Sequence, residues 1–311
     1  MNVRKNIYRL TARELSELQE ALNGLKADGE YDDFTRRRHH AMMEATLLPG
    51  ESGGANLRNA AHRGPAFLPW HRYFLRELEV LLQVRKPGMM LPYWDWAAEA
   101  DDPFGAPLWN TDPGEGLIYM GGDGTGPGGV VTTGPFAHWT SLIADPSGGF
   151  VPRAGIVREF ARVGLGTPIF PTARQVLDVV AGMPPYDYDT PPWHLESVDS
   201  FRNRMEGWLA AGGEKGPQLH NRVHVWIGGD MGPGTAPNDP VFFLHHCNID
   251  RLWAQWQRAH PNLPYVPVTG GPEGHNLHDV MKHLLFPDAT PAGALDYQYA
   301  FGYVYDTDPP S

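Results

Sequence analysis

Apolar positions recur at helical spacing near the start of the chain. Leu15, Leu18, Leu22 and Leu25 follow a Thr11–Glu14 pair, which predicts an amphipathic helix over Thr11–Leu25 opened by a capping box. A second helix is predicted from Tyr31 past His39. A third starts near Pro69 and carries His71, Phe74, Leu75, Leu78 and Leu82. The stretch LPYWDW, Leu91 to Trp96, is short and aromatic and reads as buried. Further helices are expected at 173–182, 197–211, 218–227 and 241–258.

Between about Asp101 and Arg153 the periodicity gives way to Gly and Pro, and this stretch reads as a flexible surface excursion. Its GGDGTGPGG run, residues 121–129, resembles a phosphate loop only in its glycines. It lacks GK[ST], and no apolar strand clearly precedes it. With no internal repeat and no long polar linker, residues 1–311 are expected to form a single, mainly α domain.

Composition narrows the chemistry. A formal net charge of -11 argues against nucleic acid or an anionic membrane as the main partner. The one cysteine, Cys247, excludes an intrachain disulfide and thiolate-rich metal sites, so any metal must be held by nitrogen or oxygen. No apolar stretch is long enough for a signal peptide or a membrane span. The expected location is cytoplasmic, or outside the cell by export with a partner.

The histidines fall into two groups. HNRVH puts His220 and His224 four apart, hence on one helical face, and DPVFFLHHCNID soon adds His245 and His246. Upstream, HRGPAFLPWHR puts His62 in a loop and His71 at a helix start, with His39 and His40 on the preceding helix. Each half of the chain thus offers at least three imidazoles. A zinc-protease HExxH is absent, since Asn221 stands where the Glu would be. All-imidazole coordination with an open position suits copper. Two such sites facing each other could bind dioxygen between them.

The stretch from His62 through Phe67, Leu68, Pro69, Trp70, His71 and Arg72 to Leu75 and Glu79 resembles the first copper signature of tyrosinases and related type 3 copper proteins. Asp239, Pro240, Phe242, Phe243, His246 and Asp250 resemble the second. HNRVHVWIGG and APNDP are similar to stretches of bacterial tyrosinases, and the resemblance runs from about residue 2 to 305. It implies a central four-helix bundle holding a binuclear copper site, with long Gly/Pro-rich loops and little β-structure. It also implies two copper ions, dioxygen as co-substrate and a small phenolic substrate.

By the same resemblance the ligands are His39, His62, His71, His220, His224 and His246. Helical spacing does not choose between His245 and His246, and a one-residue shift in YDDFTRRRHH keeps His40 open beside His39. Asp250, one turn beyond His246, would support that ligand, and Cys247 reads as a small buried side chain. Asn221, with Glu206 of RNRMEGW, matches the pair that orients a basic water for monophenols. The expected activity is oxidation of o-diphenols or o-aminophenols to o-quinones or quinone imines, with weaker ortho-hydroxylation of monophenols. The alternatives are a dedicated o-aminophenol oxidase of secondary metabolism and, more remotely, a haemocyanin-like oxygen binder. Against the latter, the chain ends soon after GYVYD, leaving no room for a shielding domain. Some bacterial tyrosinases use a small copper-delivery partner, and the resemblance leaves one open here.

Overall fold

The computed structural model describes residues 1–48, 50–52, 58–161, 170–182, 185–187, 200–208 and 218–309. In chain order the main elements are β1 (Asn2–Arg4), α1 (Ala12–Ala27), α2 (Glu30–Met43), α3 (Phe67–Arg85), β2 (Thr140–Ala144) and β3 (Phe150–Ala154). They continue with α4 (Ala173–Val180), α5 (Phe201–Glu206), α6 (Leu219–Ile227), α7 (Val241–Ala259), α8 (Tyr297–Phe301) and β4 (Tyr303–Tyr305). Helices dominate, as expected.

Local chemistry explains the helix ends. The Thr11 hydroxyl accepts from the Glu14 N–H while the Glu14 carboxylate accepts from the Thr11 N–H, so the capping box is real. Helix α3 begins at Phe67, two residues before Pro69, because a proline in the first turn removes an N–H that would have no helical partner anyway. Of the expected 197–211 helix, α5 occupies Phe201–Glu206, while 197–199 and 209–211 lie outside the described residues.

Helices α2, α3, α6 and α7 frame the centre, with α3 packed on α7 and α6 on α7. Phe34 of α2, Phe74 of α3 and Phe243 of α7 meet in a triangle with ring centroids 5.3–5.8 Å apart. Such pairs add about 0.5–1.5 kcal/mol each beyond their buried area. β1 and β4 pair in parallel and bring the two ends of the chain together over α3 and α7.

At that junction the buried Arg4 guanidinium donates to Glu79 at 2.8 Å and to Asp250 at 2.9 Å. Arg72, Tyr303 and Tyr305 also donate to Asp250. Asp250 therefore ties the chain ends together and makes no hydrogen bond to a histidine, unlike the supporting role expected from its position. Burial raises its pKa, but Arg72 and Arg4 outweigh burial and leave it lowered.

The 101–153 stretch differs from the expected surface excursion. Trp109, Met120, Phe136 and Trp139 are buried, and β2 and β3 form an antiparallel hairpin. The Trp139 indole N–H donates to Asn23 of α1 at 2.6 Å, and the Asn238 side chain pairs with the Leu142 backbone in both directions. Buried Arg158 binds Asp239 at 2.7 Å and takes the carbonyls of Gly121 and Gly122. Both glycines have positive φ, which lets those carbonyls turn inward. No described helix is long and apolar enough to cross a membrane.

Candidate metal centre

Helix α6 holds His220 and His224 one turn apart on its inner face, and both are buried. Helix α7 contributes His245 and His246, also buried. His245 stacks on His220 with centroids 5.1 Å apart, and His246 meets His220 edge-on at 4.9 Å. One ligand atom from each of these four side chains lies within 4.8 Å of the others. The His224 and His246 Nε2 atoms are 3.2 Å apart. Two nitrogens each about 2 Å from one tetrahedral ion would stand about 3.3 Å apart, so this spacing suits a shared ion.

The hydrogen bonds fix which nitrogen faces inward. His71 Nδ1 donates to the Phe67 carbonyl at 2.8 Å and His224 Nδ1 to the Met231 carbonyl at 2.7 Å. His220 Nδ1 donates to the Glu206 carbonyl at 3.2 Å and to Asn221 Oδ1 at 2.9 Å. Each Nε2 is thereby left with its lone pair. The Nε2 atoms of His71 and His220, Nδ1 of His246 and both nitrogens of His62 are buried without a hydrogen-bond partner. Buried polar atoms ordinarily have partners, and a row of imidazole lone pairs without one is suited to a metal. Burial pulls the pKa of His220 down to about 3 and those of His62, His71, His224, His245 and His246 well below the ordinary value, which favours the neutral imidazole, the form able to bind a metal.

The other half of the centre is built differently. His62 sits in a tight bend whose N–H groups at Ala61 and His62 donate to Asn59 Oδ1. The next residue, Arg63, is held at φ +64°, a conformation costing about 1 kcal/mol or more for a side chain with a Cβ. Its N–H donates to Glu206 Oε1 at 2.7 Å, which anchors the bend to α5. His275 closes the bend from the other side: its Nδ1 accepts from the Ala66 N–H, and its Nε2 faces the Thr46 hydroxyl and the Asn59 carbonyl. His62 and His71 meet edge-on at 4.8 Å, and His71 stacks on His246 at 4.2 Å, joining the halves.

Five of the six expected ligands thus come together, and His39 does not. Its ring faces Phe150 at 5.3 Å and His40 at 6.1 Å, and it lies against Gly234. Arg38, one residue earlier on α2, turns inward instead. Its guanidinium lies over the Phe242 ring at 4.9 Å and lines the same cavity as His62, His220 and His224. The signal for this was in the sequence. Tyr31, Phe34, Thr35, Arg38 and Ala41 form one buried stripe at helical spacing, and position 39 is about 100° away from it. His40 is exposed.

Above the imidazoles lies a cavity of about 530 Å³ that Arg63, Trp208 and Asn221 also line. Glu206 is fully buried behind it. Its Oε2 accepts from Arg202, which also pairs with Asp187 at 2.6 Å. Burial raises the Glu206 pKa and Arg202, the Arg63 N–H and Trp208 oppose it, with a net upward shift. Gly207 joins Glu206 to the α6 side: a Cβ there would stand 1.9 Å from the Gln218 carbonyl, at φ +99°. Asn221 is packed beside it.

Facing helices that bring buried, partnerless imidazole nitrogens together beneath a cavity define an all-histidine metal centre. The model for the common central domain of tyrosinase matches residues 28–259. A tyrosinase of Streptomyces glaucescens is 42% identical over 99% of this chain and 100% of its own length. Grixazone synthase of Streptomyces griseus is 36% identical over 97% and 99%. Among solved structures, a polyphenol oxidase from Thermothelomyces thermophila superposes with a TM-score of 0.67 at 24% identity, covering 98% of this chain and 88% of that one. A functional unit of octopus hemocyanin gives 0.56 at 21% identity, covering 99% and 68%; these two likenesses concern the fold. The chain belongs to the tyrosinase family. That family binds two copper ions with dioxygen. The α6–α7 imidazoles fit such an ion fully. His62 and His71 fit one in part, since α2 turns Arg38 rather than a histidine into the cavity that His62 lines.

Proposed function

We propose that this protein is a copper-dependent oxidoreductase that uses dioxygen to oxidise o-diphenols or o-aminophenols, with weaker ortho-hydroxylation of monophenols. The convergence of partnerless imidazole nitrogens under the cavity carries this reading. His220, His224 and His246 would hold one copper ion, and His62 and His71 would face the other. When bound, copper supplies the electron exchange between the phenol and dioxygen.

The protein's part is to admit the ring, exclude water and move a proton. Trp208 and the imidazole edges give the cavity flat apolar walls suited to an aromatic ring. A free phenol has a pKa near 10, so a proton acceptor in the wall is useful at neutral pH. Asn221 lines the cavity, and its side-chain oxygen is oriented by His220. Glu206 stands behind, its carboxylate held by Arg63 and Arg202, with further lone pairs able to hold a water. In this reading Asn221 and Glu206 orient the water that takes the phenol proton, a contribution of roughly 100-fold.

Kinship to both a tyrosinase and a grixazone synthase favours testing phenols and o-aminophenols side by side. The imidazoles are almost fully buried, which favours delivery of copper by a small partner protein before or during folding. Oxygen consumption by copper-loaded protein should be screened across catechols, o-aminophenols and tyrosine. The expected order puts an ortho-substituted phenol first and tyrosine lower but above background. Tyrosine ranking first would reject the substrate assignment, and no uptake with any of them would reject the activity.

A further inference from the structure

We propose that Arg38 makes the two metal positions unequal, so that the α6–α7 position binds copper tightly and the position beside His62 and His71 binds it weakly. The proposal rests on the copper reading above and deepens it.

Three observations carry it. Among the described residues, the one group of three or more metal-ligating side chains whose donor atoms converge is His220, His224, His245 and His246. His62 and His71 meet only each other from their own half, because His39 is turned away toward Phe150. The inward place on α2 belongs to Arg38, 3% exposed and lining the cavity with His62, His220 and His224.

Arg38 is also an unusual cation. It donates to the carbonyls of Pro233 at 3.1 Å and Gly234 at 2.8 Å, and its Nε has no partner. Among the described residues no carboxylate pairs with it. The other deeply buried arginines of the frame, Arg4, Arg72, Arg158 and Arg202, each have an acidic partner. An uncompensated buried charge is costly and acts over several ångströms with little screening. Arg38 shares the cavity with His62 of one position and with His220 and His224 of the other. A copper ion at either position would meet the repulsion of this charge. Beside His62 and His71 it would in addition lack a third imidazole, whereas the α6–α7 position has its three ligands without α2.

The consequence is stepwise loading. At limiting copper the chain should accumulate a one-copper form, with the ion held by α6 and α7. A lone Cu(II) ion has an unpaired spin and an EPR signal, whereas two Cu(II) ions coupled through a shared bridge lose it. The two loading states are therefore distinguishable without turnover.

The test is a titration of metal-free full-length protein with Cu(II), read by bound copper after gel filtration and by EPR. Wild type, Arg38→His, Arg38→Met and His246→Ala are compared. Wild type should bind the first equivalent with a full-intensity mononuclear signal, and the second with at least about 100-fold lower affinity, since losing even a supporting contact of a metal site costs about 10–100-fold. Arg38→His, which places an imidazole on the inward stripe, should bring the two affinities within about tenfold and quench the signal as the second ion enters. Arg38→Met, which removes a charge shared by both positions without adding a ligand, should strengthen both steps while keeping the gap, and serves also should Arg38→His fail to fold. Two equal affinities in wild type, an unchanged gap in Arg38→His, or unchanged affinities in Arg38→Met, would overturn the proposal while leaving the copper reading intact. A first equivalent that binds no better to wild type than to His246→Ala would overturn the copper reading itself.

Discussion

The two halves of the histidine centre hold their imidazoles by different means. On the α6–α7 side four histidines sit on two helices, and main-chain carbonyls of Glu206 and Met231 set the rings. On the other side His62 rides a strained bend clamped by Asn59, Glu206 and His275, and α2 turns Arg38 rather than a histidine toward it. The first half brings its imidazoles together from two adjacent helices. The other half depends on long-range contacts, so one step of helical phase decides whether Arg38 or His39 faces the cavity.

The sharpest way to break this comparison is to delete one histidine from each half. His246→Ala should abolish tight copper binding and oxygen consumption, and His71→Ala should keep the tight copper and lose the oxidation. Copper retained after dialysis decides between them, and equal losses would erase the distinction. His245→Ala should weaken binding less than His246→Ala; the reverse ranking would give the ligand role to His245.

Asp250→Ala separates frame from site. It leaves Arg4 and Arg72 buried, with Glu79 paired to Arg4 but not to Arg72, and breaking such buried pairs costs about 3–5 kcal/mol. Urea unfolding should show that loss while the first copper affinity of the folded protein stays unchanged. A fall in copper affinity without a fall in stability would return Asp250 to the support of His246.

Asn221→Ala and Glu206→Gln probe the wall of the cavity. Turnover of a monophenol should fall roughly 100-fold, with catechol oxidation within a few-fold of wild type. Unchanged ratios of the two activities in both variants would remove the water-base role.

The smallest effect at neutral pH is acid sensitivity of the His62 bend. Burial pulls the His275 pKa down to about 3, and Arg58 and Arg202 add to the shift. The unfolded chain takes up this proton near the ordinary value of about 6.5, so it binds more protons than the folded state below that pH. Stability of the metal-free protein should therefore decline as the pH falls from about 6.5 toward 3. His275→Gln should make that decline shallower by up to about 1.4 kcal/mol per pH unit. An unchanged slope would detach His275 from the bend.

Much of this was legible in the residues. The Thr11–Glu14 box, the HNRVH spacing and the buried LPYWDW stretch are local patterns, and local patterns survive folding. The inward turn of Arg38 is legible from the Tyr31–Phe34–Ala41 stripe, whose helical phase excludes position 39. The Gly/Pro-rich middle was not legible as core. Its order comes from Arg158 and Asn238 reaching carbonyls and amides presented by turns, and those partners lie up to 96 residues away in sequence. His275 was missed for the same reason: only the fold brings it to the bend 209 residues upstream.

The central claim is that one half of the centre is a complete copper site and the other is not. Crystals of protein loaded with a single equivalent of copper, measured at the copper absorption edge, test it directly. The account predicts one anomalous peak among His220, His224 and His246, with no comparable peak between His62 and His71. Two peaks of equal height, or a single one on the His62–His71 side, would contradict it.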